Sequence, residues 1–479
     1  MLPDQIAGTA RPPLSGTRPA RHRRGVMATT VAALVLVTGL TACSGKSPGE
    51  GDAPASPTVV ATPGVTGTAS PDSTDGPAPL KEPTWLQAAT ALTAAIDPFI
   101  STVLAVDGET WLVQLIAGPE GKAFTQLVPI APETGQPKAV AGEASAMPDG
   151  VFCAQHTWQG QVLCAWQDGV YQIDPQTGQP AAAPLLRVAG QELYGVEVVG
   201  EVIVAVGLAE TAPVATAFDA AGAQLWQSPF ETAGCALEDP AYQVSVTPVQ
   251  DTIRVALASR QAVMTMADGQ VLTTACGLVA YLADGRMAVA QQYGTEPAPP
   301  KSYTTPDGAT KAVINAGPAQ QLTAISAGGK EYLVTVQIND QRLRLLDGAT
   351  GELVWDVEWQ YGRLQTWDDQ YLFMSGRRGL SGVDLATGEA AWTWQQDLGM
   401  SVRSAVLTRD AGLVVSNSMG VSGVSPQSGQ TLWSIEDADL AAYYWTPDGL
   451  DPEAARQSNM VVFLGPNRDR MARFDAPVL

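Results

Sequence analysis

The side chains best suited to chemistry are scarce in this 479-residue chain, which holds five cysteines and two histidines. So few histidines all but exclude a multi-histidine metal centre. Setting aside Cys43 near the N-terminus leaves Cys153, Cys164, Cys235 and Cys276. An even number in an exported chain suggests two disulfides, with three pairings open. Cys153 and Cys164 flank a hairpin whose loop is Thr157-Trp158-Gln159-Gly160, a register that sets them opposite each other. Cys235 and Cys276 lie 41 residues apart. That spacing puts them at similar points of successive repeats, where the Cα separation strains what a disulfide allows. Four buried thiols are the alternative. His156 falls between the first two cysteines. A catalytic histidine needs a nucleophile and an orienting acid in a cleft. No nucleophile motif is near it, so it reads as a structural histidine on a strand.

Two other clusters bear on binding. Arg377-Arg378 follows Met374-Ser375-Gly376 on an otherwise acidic chain. It has the charge to hold an anionic group, although a solvated hairpin tip is the simpler reading. The segment from Glu436 to Gln457 carries six acids and, among them, Tyr443, Tyr444 and Trp445. Aromatic anchors with an acidic rim suit a protein or carbohydrate contact. Packing of the aromatics on the last repeat is the structural alternative. The carboxylates lack the spacing of a Ca²⁺ loop, and no carboxylate pair stands out as a hydrolase site.

Composition bounds the partners. The chain has 27 Lys and Arg against 48 Asp and Glu, for a net charge of −21. A broad nucleic-acid grip needs a cationic surface, so that partner class is set aside. With 45% hydrophobic residues the chain can bury a sizeable core. Five arginines and one aspartate precede an apolar run from Val26 to Leu40, which ends in Leu40-Thr41-Ala42-Cys43. A basic stretch, a short apolar core and a small-residue cleavage site make a secretory signal. The run is short for a membrane-spanning helix. Leu40-Thr41-Ala42-Cys43 resembles a bacterial lipobox, in which the cysteine becomes the first mature residue and is diacylated. Arg23-Arg24 raises twin-arginine export, though the flanking residues match that signal poorly.

The expected organisation is a signal peptide over 1–42, a lipidated Cys43 with a linker to 80, and a folded domain over 81–479. Removing 1–42 lowers the net charge to −25. So acidic a body is repelled by an anionic membrane. Attachment would then rest on lipid, and two acyl chains suffice for it. Residues 44–80 include seven prolines and almost no large apolar side chains. Such a segment cannot bury enough surface to order itself. As a flexible coil it spans roughly 35 Å, and its prolines lengthen it further. The implied location is the extracytoplasmic face of the cell membrane.

The elements that must position any site are repeats. Asp347-Gly348-Ala349-Thr350-Gly351-Glu352-Leu353-Val354-Trp355 recurs as Asp384 to Trp392 and as Ser425 to Trp433. Weaker copies centre on Gly135, Gly178, Gly222, Gly269 and Gly308, and Gly222 keeps its own tryptophan at Trp226. The period is near 42 residues. Without a helical pattern, it predicts four short strands per unit and an all-β fold, a β-propeller. Eight blades are expected, with seven as the alternative. Strand-like material at Met460 to Leu464 and Met471 to Phe474 looks like part of another unit, which would let one terminus complete the other's blade. In that case one of the weak copies is misassigned, Gly308 first among them, because Leu282 to Arg286 offers a competing turn. Trp226, Trp355, Trp392 and Trp433 should each dock against a neighbouring blade.

The motif Asp-x-x-Thr-Gly-x-x-x-Trp resembles the tryptophan-docking repeat of pyrroloquinoline-quinone-type propellers. The resemblance is strong over 346–357, 383–394 and 424–435, and weaker over most of 100–435. It implies a propeller fold. That family includes quinoprotein dehydrogenases, a lipoprotein of outer-membrane assembly and many surface lipoproteins. The dehydrogenases carry adjacent cysteines, a Ca²⁺ site and an Asp base, whereas this chain has no adjacent cysteines. No cofactor is therefore expected. The expected role is a non-catalytic platform for a protein or cell-wall component, with a monomeric body. A quinone-dependent dehydrogenase is the alternative. The Ala-, Gly- and Pro-rich composition and long basic leader look like those of a high-GC Gram-positive lipoprotein, in which an outer-membrane role would not apply.

Overall fold

In the computed structural model of the chain, residues 84–475 are described apart from short internal stretches. The longest of these are 139–145, 231–234, 236–243, 292–301, 396–401, 437–442 and 446–459. The signal segment, Cys43, the linker, Arg377-Arg378 and most of Glu436 to Gln457 lie outside the described residues.

Blade formation starts at the repeated turn. The sixth blade is built from Gln321–Ala327, Lys330–Gln337, Arg342–Asp347 and Leu353–Glu358, all antiparallel. Asp347 accepts the backbone N–H groups of Ala349 and Thr350, each at 2.8 Å. The Thr350 hydroxyl in turn accepts the Glu352 N–H at 3.1 Å. Gly351 then sits at φ +73°, in the left-handed region that glycine tolerates best. The result is a type I turn with a bulge, and the pairing slips by one residue between Leu345 and Leu346. These bonds, the Thr350 N–H first, hold the Asp347 carboxyl below the usual carboxylate range. Asp384 and Thr387 repeat the arrangement in the seventh blade. The bulge fixes which face of the fourth strand carries the tryptophan.

Nine four-stranded sheets form among the described residues. Eight of them carry one each of the eight turn glycines found in the sequence. They span 99–148, 152–187, 192–229, 244–276, 278–318, 321–358, 364–395 and 404–436. The ninth is composite: Trp85–Ala88 pairs with Arg470–Asp475, which pairs with Met460–Leu464 and then Tyr443–Trp445. The C-terminal strands noted in the sequence thus do complete a sheet with the N-terminal strand. Val462 and Met471 of this closing sheet share a core with Ile100, Val103 and Val113 of the first blade. On its other side, Tyr443–Trp445 lies beside Ser404–Thr408 of the eighth blade. The two chain ends therefore close the ring.

The fifth blade departs from the pattern. Its strand order is Leu278–Tyr281, Met287–Gln291, Thr310–Pro318, Ser302–Thr304. The chain goes to the outer edge first and then returns, so Met287–Gln291 and Thr310–Pro318 run parallel. Both turns weighed against each other in the sequence are real. Leu282 to Arg286 joins the first two strands, and Gly308 joins the outer two, travelled in reverse.

The tryptophans lock one blade to the next. The indoles of Trp226, Trp355 and Trp392 lie over the turn glycines of the following blades, Gly269, Gly388 and Gly429. Each N–H donates to the carbonyl three residues before that glycine, namely Met266, Leu385 and Pro426, at 2.8–2.9 Å. Trp226, Trp355 and Trp433 are buried, whereas Trp392 is half-buried beside the buried Trp394. At two of the other interfaces an aliphatic residue takes the slot: Leu186 meets Gly222, and Ile314 meets Gly351. Trp433 faces the closing sheet, where the outer two strands come from opposite chain ends and no turn joins them. Its buried indole N–H has no partner among the described residues.

Candidate functional site

The first strands of the fourth, fifth and sixth blades differ in length. Val244–Val249 has six residues and Gln321–Ala327 has seven, but Leu278–Tyr281 between them has only four. At about 3.3 Å per residue, the flanking strands overhang the middle one. The short strand is confined by Gly277, at φ +96°, and by the Leu282–Gly285 turn. The overhang leaves an open cleft of about 510 Å³. Its floor is Tyr281, Leu282 and Ala283; its walls are Thr247–Val249 with Arg254, and Ala324–Ser326 with Glu331.

Arg254 is the unusual member. Its strand, Thr252–Leu257, points Ile253, Val255 and Leu257 into the core shared with the third blade. The alternate face, toward the fifth blade, carries Arg254. The corresponding strand of the third blade, Val202–Ala209, places Val204 and Val206 on its equivalent face. In the fourth blade a guanidinium thus replaces an aliphatic side chain at a blade interface. It lies 3.8 Å from the centre of the Tyr281 ring, a cation–π stack. Burial pushes the Arg254 pKa down, with Tyr281 and Tyr303 opposing. An arginine stays protonated at any ordinary pH all the same. Burial also pushes the Tyr281 phenol up, against the Arg254 charge, so it remains neutral and donates to Gln261 at 3.2 Å. No carboxylate pairs with Arg254 among the described residues. Glu331, the acid in the cleft, accepts the Ala283 N–H. Chemically the cleft offers one half-buried cation, two exposed hydroxyls at Thr247 and Ser326, and apolar surface from Pro248, Val249 and Ala324. Such a mixture of apolar surface with a few placed polar groups is typical of binding sites.

The residues singled out from sequence fall elsewhere. Cys153 and Cys164 pair directly across neighbouring strands of the second blade and are bonded. Their hairpin turns at Gln159 and Gly160, both at positive φ. Cys235 and Cys276 are bonded too, with a Cα separation of 5.8 Å that removes the geometric objection. Cys235 enters the fourth blade and Cys276 ends its last strand, so the bridge staples that blade's start to its outer edge. His156 sits on a bend rather than within a strand. Its Nδ1 is 3.0 Å from Glu197, which also accepts the backbone N–H groups of Gln155, His156 and Val198. The buried carboxylate of Glu197 ties the second blade to the third. Tyr443, Tyr444 and Trp445 form the inner strand of the closing sheet rather than a loop. Cys43 lies outside the described residues. Among those residues no cluster of three His, Cys, Asp or Glu side chains is placed to hold a metal ion. No helix there is long and apolar enough to cross a membrane.

Comparison with known proteins agrees with the repeat. Residues 210–439, from the third strand of the third blade to the end of the eighth, match the family model described as outer membrane protein assembly factor BamB. No curated protein sequence matches significantly. Among solved structures, the WD40 β-propeller domain of Doa1 is 9% identical, with a TM-score of 0.33 over 81% of this chain and 96% of that one. The dihydro-heme d1 dehydrogenase NirN is 14% identical, with a TM-score of 0.38 over 75% and 81%. A protein of unknown function from Bacteroides caccae is 14% identical, with a TM-score of 0.28 over 68% and 93%. Likenesses this loose carry no weight for function. The docking motif, the four-stranded blades and the family match agree: residues 210–439 of this chain carry the repeat of the pyrroloquinoline-quinone-type β-propeller family.

Proposed function

We propose that this chain is a surface lipoprotein, held through Cys43 at the extracytoplasmic face of the cell membrane. Its propeller is a non-catalytic platform for a protein or another envelope component. The observation that carries the reading is the open cleft across three blades, lined by apolar and polar groups and by a guanidinium that has no carboxylate partner among the described residues. The apolar leader, the Cys43 motif and the proline-rich segment support the anchored part. The family description names an assembly factor, which agrees with a scaffolding role.

The same family likeness raises pyrroloquinoline quinone as a cofactor, and the residues present do not fit it. All four described cysteines are engaged in two bridges, neither of them between adjacent residues. No carboxylate cluster stands ready for Ca²⁺ among the described residues. The test is equilibrium dialysis of the purified full chain with the quinone and Ca²⁺, followed by alcohol-dependent dye reduction. Neither stoichiometric binding nor dye reduction is expected. A saturable one-to-one complex that reduces dye with an alcohol would overturn the reading.

A further inference from the structure

We infer that the cleft between the fourth, fifth and sixth blades binds a singly charged carboxylate with an apolar body, and that Arg254 holds it. The inference rests on the platform reading and names the chemistry of its ligand.

A charge taken out of water is costly unless something compensates it. Arg254 is partly desolvated, and it stacks on a neutral ring face 3.8 Å away, with no carboxylate partner among the described residues. The Tyr281 stack holds the guanidinium flat and in place, which lowers the ordering cost of a ligand. A planar guanidinium suits a planar carboxylate through two parallel hydrogen bonds. The ligand's charge is bounded by the surroundings. Glu331 lines the same cleft, Asp284 follows its floor and the chain is net −21. One cation in an acidic setting accommodates a monoanion and repels a dianion such as sulfate. Pro248, Val249 and Ala324 expose apolar surface in the cleft, which selects for an aliphatic body next to the charge. A peptide C-terminus ending in an aliphatic residue and a small free aliphatic acid share this chemistry.

The experiment is calorimetric titration of the purified full chain with four probes. They are N-acetyl-Ala-Ala-Leu as the free acid, the same peptide as its C-terminal amide, octanoate, and inorganic sulfate. The acid peptide should bind at least tenfold more tightly than its amide, and sulfate should not compete. Octanoate binding as tightly as the acid peptide assigns the site to free acids; weaker octanoate binding assigns it to a chain terminus. Arg254→Gln should erase the preference for acid over amide, and Arg254→Lys should keep part of it. Because Arg254 has no ion-pair partner among the described residues, Arg254→Met should not lower the thermal midpoint, a result that a purely structural arginine would not give. Equal binding of acid and amide, no binding of either acid, or an undiminished preference in Arg254→Gln would overturn the inference. If the acids fail while a protein still cross-links in the cleft, the carboxylate falls and the platform stands. If acids bind while no partner cross-links there, the reverse holds.

Discussion

Trp355→Ala is expected to destabilise the fold by about 3–5 kcal/mol, the usual range for truncating a buried aromatic. Trp355 is the buried joint between the sixth and seventh blades, lying over Gly388 and packed near Leu345, Leu364, Leu372 and Leu385. Truncation removes that contact area and leaves the Leu385 carbonyl without its donor. Denaturant unfolding followed by tryptophan fluorescence measures the loss. The conservative variants separate packing from hydrogen bonding. Trp355→Phe keeps a ring but loses the N–H, which adds about 1 kcal/mol. Trp433→Phe loses an N–H that has no partner among the described residues, so it should cost less than Trp355→Phe. Equal penalties for the two phenylalanine variants would contradict the docking geometry.

Gly178→Ala is the second large effect. Gly178 sits at φ +69°, and an added Cβ there would strike the backbone carbonyl of Leu127 in the first blade. A backbone obstacle cannot rotate aside, so the interface between the first two blades must shift. Left-handed strain of about 1–2 kcal/mol adds to overpacking of about 1–3 kcal/mol, for a total of roughly 2–5 kcal/mol. Gly308→Ala is the control. Gly308 has a similar φ of +83°, but a Cβ there would meet nothing within 4 Å. Only the backbone strain should then appear. Comparable melting midpoints for the two variants would show that the glycines serve their turns alone and not the blade contacts.

Most of the propeller is legible in the sequence because one local device recurs. An acid, a hydroxyl and a glycine close a turn, and a tryptophan four residues later docks on the next copy. Eight turn glycines locate eight sheets, although a tryptophan follows only four of them. The composite ninth is hinted at by Met460 to Leu464 but not placed, because its partner Trp85–Ala88 lies at the far end of the chain and carries no turn glycine. The reversed outer strands of the fifth blade leave no local trace either, since hairpin pairing reads alike in both directions. The cleft is the least legible feature. Arg254 stands in an alternating strand, Thr252–Leu257, where a charged residue reads as solvent-facing. In a propeller both faces of a second strand are covered, so the same alternation places that charge at an interface. Its neighbour Tyr281 is distant in sequence and becomes adjacent only when two blades pack. The sequence pointed instead to Tyr443, Tyr444 and Trp445, which form a strand of the closing sheet.

The most direct test of the platform is site-specific photo-cross-linking in the protein's own cell. A photoreactive residue is placed at Ser326 in the cleft or, as a control, at exposed Leu225 on the outer strand of the third blade. The account predicts one adduct of defined mass from Ser326 and none of that mass from Leu225. It also predicts loss of the adduct when Cys43→Ala removes the acylated residue. No adduct from Ser326, or the same adduct from both positions, would contradict it.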